Sequence, residues 1–125
     1  MRTSGILLPI TSLPSHYGIG CFDQEAYRFV DKLAAAKQTY WQILPLGITG
    51  YGDSPYQSFS TFAGNPYFIS LDALVEKGWL APEDLPAADV HADYVDYEYI
   101  YTHRYKLLEK AYQASHIADD EAFLA

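Results

Sequence analysis

The chain has 125 residues, half of them hydrophobic and 16% aromatic, enough apolar matter for one modest core but well short of a full barrel domain. Twelve tyrosines and six phenylalanines exclude the aromatic-poor composition of a disordered segment. A net charge of −8 argues against a nucleic-acid partner, which would draw on Lys and Arg to neutralise phosphates.

In chain order, residues 5–8 of SGILLPITSLP form a short apolar run closed by Pro9, the pattern of a strand buried on both faces in a parallel sheet. Residues 9–20 are punctuated by Pro and Gly and read as irregular backbone, with Asp23 as N-cap of the next element. Over 24–36, Ala26, Phe29, Val30, Leu33 and Ala34 recur at spacings of three and four, which predicts an amphipathic helix. Lys37 stands where a glycine is expected after that helix, so the helix is expected to end differently or to leave the turn to Gln38 or Thr39. Residues 40–46, YWQILPL, are rich in strand formers and predict a second buried strand. Strand, helix and strand at this distance describe a right-handed crossover in a parallel α/β sheet, whose ligand sites gather in loops beyond the carboxyl ends of the strands.

The loop over 47–66 follows such a strand end. A short extended stretch is expected at 67–70, a helix at 71–77 capped by Gly78, and docking of Trp79 and Leu80 on the body. Residues 82–84 read as a first helical turn opened by proline, 86–92 as a connector, and 98–115 as a longer helix with Tyr101, Tyr105, Leu108 and Tyr112 at helical spacing. Two parallel strands leave unpaired edges, and DDEAFLA stops inside what reads as the start of another helix, so a truncated chain is expected.

The 47–66 loop carries the chemistry. It interleaves Tyr51, Tyr56, Phe59 and Phe62 with Asp53, Ser54, Gln57, Ser58, Ser60 and Asn65. A pyranose offers apolar C–H faces to aromatic rings and hydroxyls to fixed hydrogen-bond partners, and this mixture supplies both. Composition leaves a sugar site and a structured surface loop equally open. Asn65 before Pro66 is read first as turn-forming, Asp53 as an acceptor of backbone N–H groups that holds the loop, and His16 as a surface residue. The tyrosine-rich stretch over 93–112 is read as a helix packing aromatic edges rather than as an extra sugar platform. No His, Cys or carboxylate cluster has ligand spacing, so no metal is expected.

The strings SGILLPITSLPSHYGIG, YWQILPLG and GYGDSPYQSFSTFAGNPYFISL, in this order and spacing, resemble the start of the amylomaltase family of 4-alpha-glucanotransferases, glycoside hydrolase family 77. The match runs from Thr3 to about Leu80. The resemblance implies that the chain is the N-terminal part of a (β/α)8 TIM barrel of the α-amylase clan, incomplete here. It implies residues 1–80 as the first βαβ portion with the substrate loop and 81–125 as a helical subdomain insertion. The implied reaction moves a segment of an α-1,4-glucan to the 4-hydroxyl of another glucan or of glucose, with retention, through two carboxylates and a covalent intermediate. Those carboxylates lie on later barrel strands, so no catalytic residue is expected in this chain, and no cofactor is implied.

By the same resemblance Tyr56 stacks on the donor sugar, Ser54 is a neighbouring contact, and Tyr51 belongs to a second glucan-binding surface. Asp53, Gln57 and Asn65 are carried as further candidate contacts. The partners implied are maltodextrins and amylose, together with the remainder of the same polypeptide. The competing readings are a glucan-binding piece without turnover and a hydrolase of the same clan, which would not normally carry YGDSPYQSFS. Cys21, the single cysteine, reads as an ordinary buried residue, and its isolation points to a reducing, cytoplasmic setting. No apolar run reaches the ~18 residues of a membrane span, and residues 1–10 lack the pattern of a signal peptide.

Overall fold

The computed structural model describes residues 1–86 and 93–125. Most of the connector expected at 86–92 therefore lies outside the described residues. The chain opens with strand β1 (Gly5–Leu7), crosses through helix α1 (Gln24–Ala35) and returns in β2 (Tyr40–Gln42). The two strands pair in parallel with Gly5 opposite Tyr40, Ile6 opposite Trp41 and Leu7 opposite Gln42. The Leu8 amide extends the ladder by donating to the Gln42 carbonyl at 2.9 Å. Helices α2 (Leu71–Glu76), α3 (Tyr97–Ser115) and α4 (Glu121–Leu124) follow, with single 3-10 turns between elements.

α1 forms because its start, face and end are all specified locally. The Asp23 carboxylate accepts the Glu25 amide at 2.9 Å, which satisfies one orphan donor of the first turn. Ala26, Phe29 and Leu33 turn toward the sheet, and Phe29 meets Trp41 edge to face at 4.8 Å between centroids. Val30, expected on the same face, is half exposed, and Ala34 is exposed too. At the C-terminus Gln38 N donates to Leu33 O and Lys37 N to Ala34 O, both at 3.0 Å, the two bonds of a Schellman cap. Lys37 itself takes the left-handed conformation, with φ 57°, so neither Gln38 nor Thr39 replaces the missing glycine.

Three further expectations are corrected. β1 and β2 are exposed rather than buried on both faces, with Leu7 56% and Tyr40 60% accessible, because α1 covers one side only and a two-stranded sheet leaves the rest open. The second strand ends at Gln42 rather than running to 46, and the chain beyond it turns into the cleft described below. Of residues 67–70 only Ile69 and Ser70 are extended: Pro66–Phe68 is a 3-10 turn, opened by Pro66 and capped by Asn65, whose side chain accepts the Tyr67 amide at 3.0 Å.

The core has three parts. Ile10, Leu13, Ala26 and Phe68 pack with Leu8, Phe29, Trp41, Ile43 and Leu46 between α1 and the sheet. Ile19, Tyr67 and Ile100 join the first loop to α3. Leu71, Leu80 and Ala111 clamp α2 to the middle of α3, with Trp79 against them, as expected for the Trp79–Leu80 pair. The residues after β1, irregular as expected, are thus core material: Ile10, Leu13, Ile19 and Cys21 are all nearly inaccessible. Gly20 permits this, since a Cβ there would lie 2.1 Å from the Ile10 carbonyl oxygen.

α3 begins at Tyr97, with the Asp96 carboxylate accepting the Tyr99 amide at 3.0 Å. Its buried side is not the tyrosine row. Ile100, Arg104 and Ala111 face inward, while Tyr101 and Tyr112 are largely exposed. The Arg104 guanidinium is 2% accessible and one of its nitrogens donates to the Tyr67 and Ile69 carbonyls at 2.9 and 3.0 Å. These charge-assisted bonds tie α3 to the turn that closes the 47–66 loop. The expected aromatic packing is kept by Tyr105, which meets Tyr67 edge to face at 5.7 Å, and by Tyr97 and Tyr99, which lie against the Ile19–Tyr67–Ile100 cluster.

Candidate functional site

The ends of β1 and β2 open into a cleft of about 190 Å³. Pro9, Ile10 and Thr11 enter it from the first strand, and Leu44–Gly47 line it from the second. Thr49, Asp53, Pro55 and Asn65 of the long loop form the far wall, and Phe68 and Tyr97 complete it. Parallel α/β folds place ligands beyond the carboxyl ends of their strands, and this cleft lies there.

The loop is folded, not slack. Isolated antiparallel bridges pair Gly47 with Gly64 and Thr49 with Ser58, so its two limbs run back along each other. Asn65 anchors the return limb, donating its amide to the Leu46 carbonyl at 2.8 Å while its side chain caps the following turn. The turn-forming role expected for Asn65 is present, and the residue is also part of the cleft wall. At the tip Gly52 and Asp53 have φ of 91° and 55°, and Asp53 N donates to Gly50 O at 3.1 Å. Asp53 therefore shapes the loop through its backbone. Among the described residues no amide donates to its carboxylate, contrary to the acceptor role expected for it, and the side chain lies on the cleft. A left-handed Asp is tolerated more readily than most residues but still strained.

The remaining candidates lie away from the cleft lining. The Ser54 hydroxyl accepts the Tyr56 amide at 3.3 Å and its carbonyl accepts the Gln57 amide at 3.2 Å, so Ser54 organises the turn that carries both neighbours. Tyr56 is 72% exposed and Tyr51 fully so; Gln57 is exposed beside them. Phe59 and Phe62 are also open to solvent. The structure thus brings Asp53 and Asn65 together in the cleft and sets Tyr51, Ser54, Tyr56 and Gln57 on its outer lip. His16 is a surface residue, as expected.

Two cleft residues carry no signal in a local reading of the sequence. Thr11 stands after β1 and Tyr97 opens α3, and the phenol lies beside the Thr11 hydroxyl. Burial raises the Tyr97 pKa, and the nearby Asp53 charge raises it further while Thr11 opposes both. A neutral phenol donor therefore faces a hydroxyl and a carboxylate, a set suited to sugar hydroxyls. Cys21 is no nucleophile: burial, then Asp23, pushes its thiol up to about 12, where thiolate is negligible at neutral pH. Among the described residues no three His, Cys, Asp or Glu side chains gather as a metal site, and no helix is long and apolar enough to cross a membrane.

A strand, a crossover helix and a parallel strand, with a cleft at the strand ends that no Lys, Arg or His lines among the described residues, define a parallel α/β protein whose cleft suits a neutral, polyhydroxylic ligand. The chain belongs to the 4-alpha-glucanotransferase family, whose model matches residues 8–124. It is 56% identical over 128 residues to the 4-alpha-glucanotransferase of Streptococcus pneumoniae, covering 98% of this chain and 25% of that protein. The Clostridium butyricum 4-alpha-glucanotransferase is 53% identical over 116 residues, covering 91% of this chain and 24% of the relative. Among solved structures, the amylomaltase from Streptococcus agalactiae in complex with acarbose matches with a TM-score of 0.89 at 43% identity, over 99% of this chain and 25% of that one. The chain spans about a quarter of the length of these relatives.

Proposed function

We propose that this segment opens a 4-alpha-glucanotransferase that moves part of an α-1,4-glucan to the 4-hydroxyl of another glucan or of glucose. Family membership across residues 8–124 carries the proposal. The cleft supports it, since its wall combines apolar surface with hydroxyl, amide and carboxylate groups and, among the described residues, no cation. In this reading the chain is the first βαβ unit of a (β/α)8 barrel, with residues 81–125 as a helical insertion. Further strands cover the open faces of β1 and β2, where Ile6, Leu7 and Tyr40 are exposed. The setting is cytoplasmic, in keeping with one buried cysteine.

Retaining transfer needs a carboxylate nucleophile and a carboxylic acid about 5–5.5 Å apart across the scissile bond. Among the described residues Asp53 has no partner carboxylate in the cleft lining, and the chain spans a quarter of its relatives' length, which is in keeping with a catalytic pair supplied from beyond this chain. The part proposed for these residues is binding. Tyr56 offers a ring face to the donor sugar, Ser54 and Gln57 make neighbouring contacts, Asp53 and Asn65 hold hydroxyls in the cleft, and Tyr51 serves a second glucan surface on the exposed tip. Maltotriose disproportionation, followed by chromatography, tests the proposal on this chain and on a form extended to the relatives' length. Glucose and longer maltodextrins from the extended form alone support it. Hydrolysis without transfer, or turnover by the 125 residues alone, overturns it.

A further inference from the structure

Thr11 stands between two depressions. One is the cleft; the other is a groove of about 450 Å³ between the first loop and residues 93–95, with Thr11, Ser12, Ser15, Gly18, Asp93 and Tyr94 in its lining. We propose that this groove is a further binding site for an α-glucan, apart from the cleft and from the surface at Tyr51, holding sugar units of a chain whose reacting part lies in the cleft. The inference rests on the glucan-transfer reading and extends it to a longer stretch of substrate.

Size gives the first argument. Ligand pockets run to about 300–1,000 Å³, and the cleft falls below that range while the groove lies within it. A ligand that fills both is extended and passes over Thr11. The lining gives the second. Four hydroxyls, from Thr11, Ser12, Ser15 and Tyr94, and the Asp93 carboxylate supply donors and acceptors. Among the described residues no Lys, Arg or His joins them, which disfavours phosphate and acidic sugars, the ligands of guanidinium and ammonium groups. The Tyr94 ring, 63% accessible, offers a face for a pyranose.

Rigidity is the third argument. The floor is fixed by Ser12 N to Pro9 O at 3.0 Å, Leu13 N to Ile10 O at 3.1 Å and Gly20 N to Thr11 O at 3.1 Å. The Ser15 hydroxyl accepts the Tyr17 amide at 3.1 Å, which orients it to donate outward. Beneath lie the buried Leu13 and Ile19. A groove so held loses little freedom when a sugar enters it.

The test uses the protein extended to the relatives' length, with Tyr94→Ala removing the ring and Ser12→Trp filling the groove. Initial rates are read with maltotriose and with maltoheptaose as sole substrate. The proposal expects each variant's loss of kcat/KM on maltoheptaose to exceed its loss on maltotriose at least fivefold, and equal losses or none overturn it. Because one variant subtracts and the other adds volume, a folding failure of either leaves the other to decide. If the parent protein does not disproportionate maltotriose, the transfer reading fails, and calorimetric titration with maltoheptaose then judges the groove alone. Binding at least fivefold weaker in the variants upholds it, and unchanged affinity refutes it.

Discussion

Replacing Gly20 by alanine probes how the first loop holds both the core and the cleft. A Cβ built there lies 2.1 Å from the Ile10 carbonyl oxygen, 2.8 Å from the Leu13 nitrogen and 2.9 Å from the Leu13 oxygen, against an ordinary contact of 3.4 Å or more. All three atoms are backbone, so no side-chain rotation relieves the clash, and the two limbs of the loop must separate by more than an ångström. Forced insertion into a packed site costs about 1–3 kcal/mol, and losing the Gly20–Thr11 hydrogen bond adds about 1 kcal/mol. The total, about 2–4 kcal/mol, lowers the melting temperature by roughly 10 °C at about 3–5 °C per kcal/mol for a chain of this size. Gly64→Ala is the control, because a Cβ there meets nothing within 4 Å, and it is expected to stay within about 0.5 kcal/mol of the parent. Thermal unfolding followed by circular dichroism reads both variants. A Gly20→Ala protein that melts no lower than Gly64→Ala would refute the packing argument.

Other consequences follow from single residues. Lys37→Gly relieves a left-handed lysine at the end of α1 and is expected to stabilise the chain by about 0.5–1 kcal/mol, while Lys37→Ala gives no such gain, in the same melting assay. Tyr17 and Tyr67 are each pushed up to about 12, first by burial, with Tyr17 also donating to Asp72 at 2.5 Å. The folded state holds both phenols neutral, so their contribution is full below the ordinary tyrosine value and is lost as pH rises toward 12; melting temperature against pH should fall over that window, less steeply in Tyr17→Phe. In the extended protein Tyr56→Ala is expected to lower kcat/KM on maltotriose about tenfold, the loss of roughly one aromatic contact. An unchanged value would remove Tyr56 from the site.

What was legible in the sequence is what short-range rules control. α1 is legible because Asp23 caps it and Ala26, Phe29 and Leu33 recur on one face, and its position between two β-rich stretches gives the parallel pair. The place of the cleft follows, since parallel sheets open such clefts at the carboxyl ends of their strands. Burial of the first loop was not legible: Ile10, Leu13 and Ile19 show no period, and they are inside because α1, the sheet and α3 close over them. The inward face of α3 was hidden for a related reason. Hydropathy favours its tyrosines, yet Arg104 is buried because two carbonyls at the end of the 47–66 loop wait there for a donor. Of the residues lining the cleft, Asp53 and Asn65 were already candidates from the loop, whereas Thr11 and Tyr97 are brought there only by the fold.

In the proposed function an α-glucan binds at the carboxyl ends of β1 and β2. A crystal structure of the extended protein soaked with maltoheptaose tests it most directly. Sugar density is expected in the cleft, with hydroxyls within hydrogen-bond reach of Asp53 and Asn65 and a ring against Tyr56. Ordered sugar found only away from these residues, with the cleft holding solvent, would contradict it.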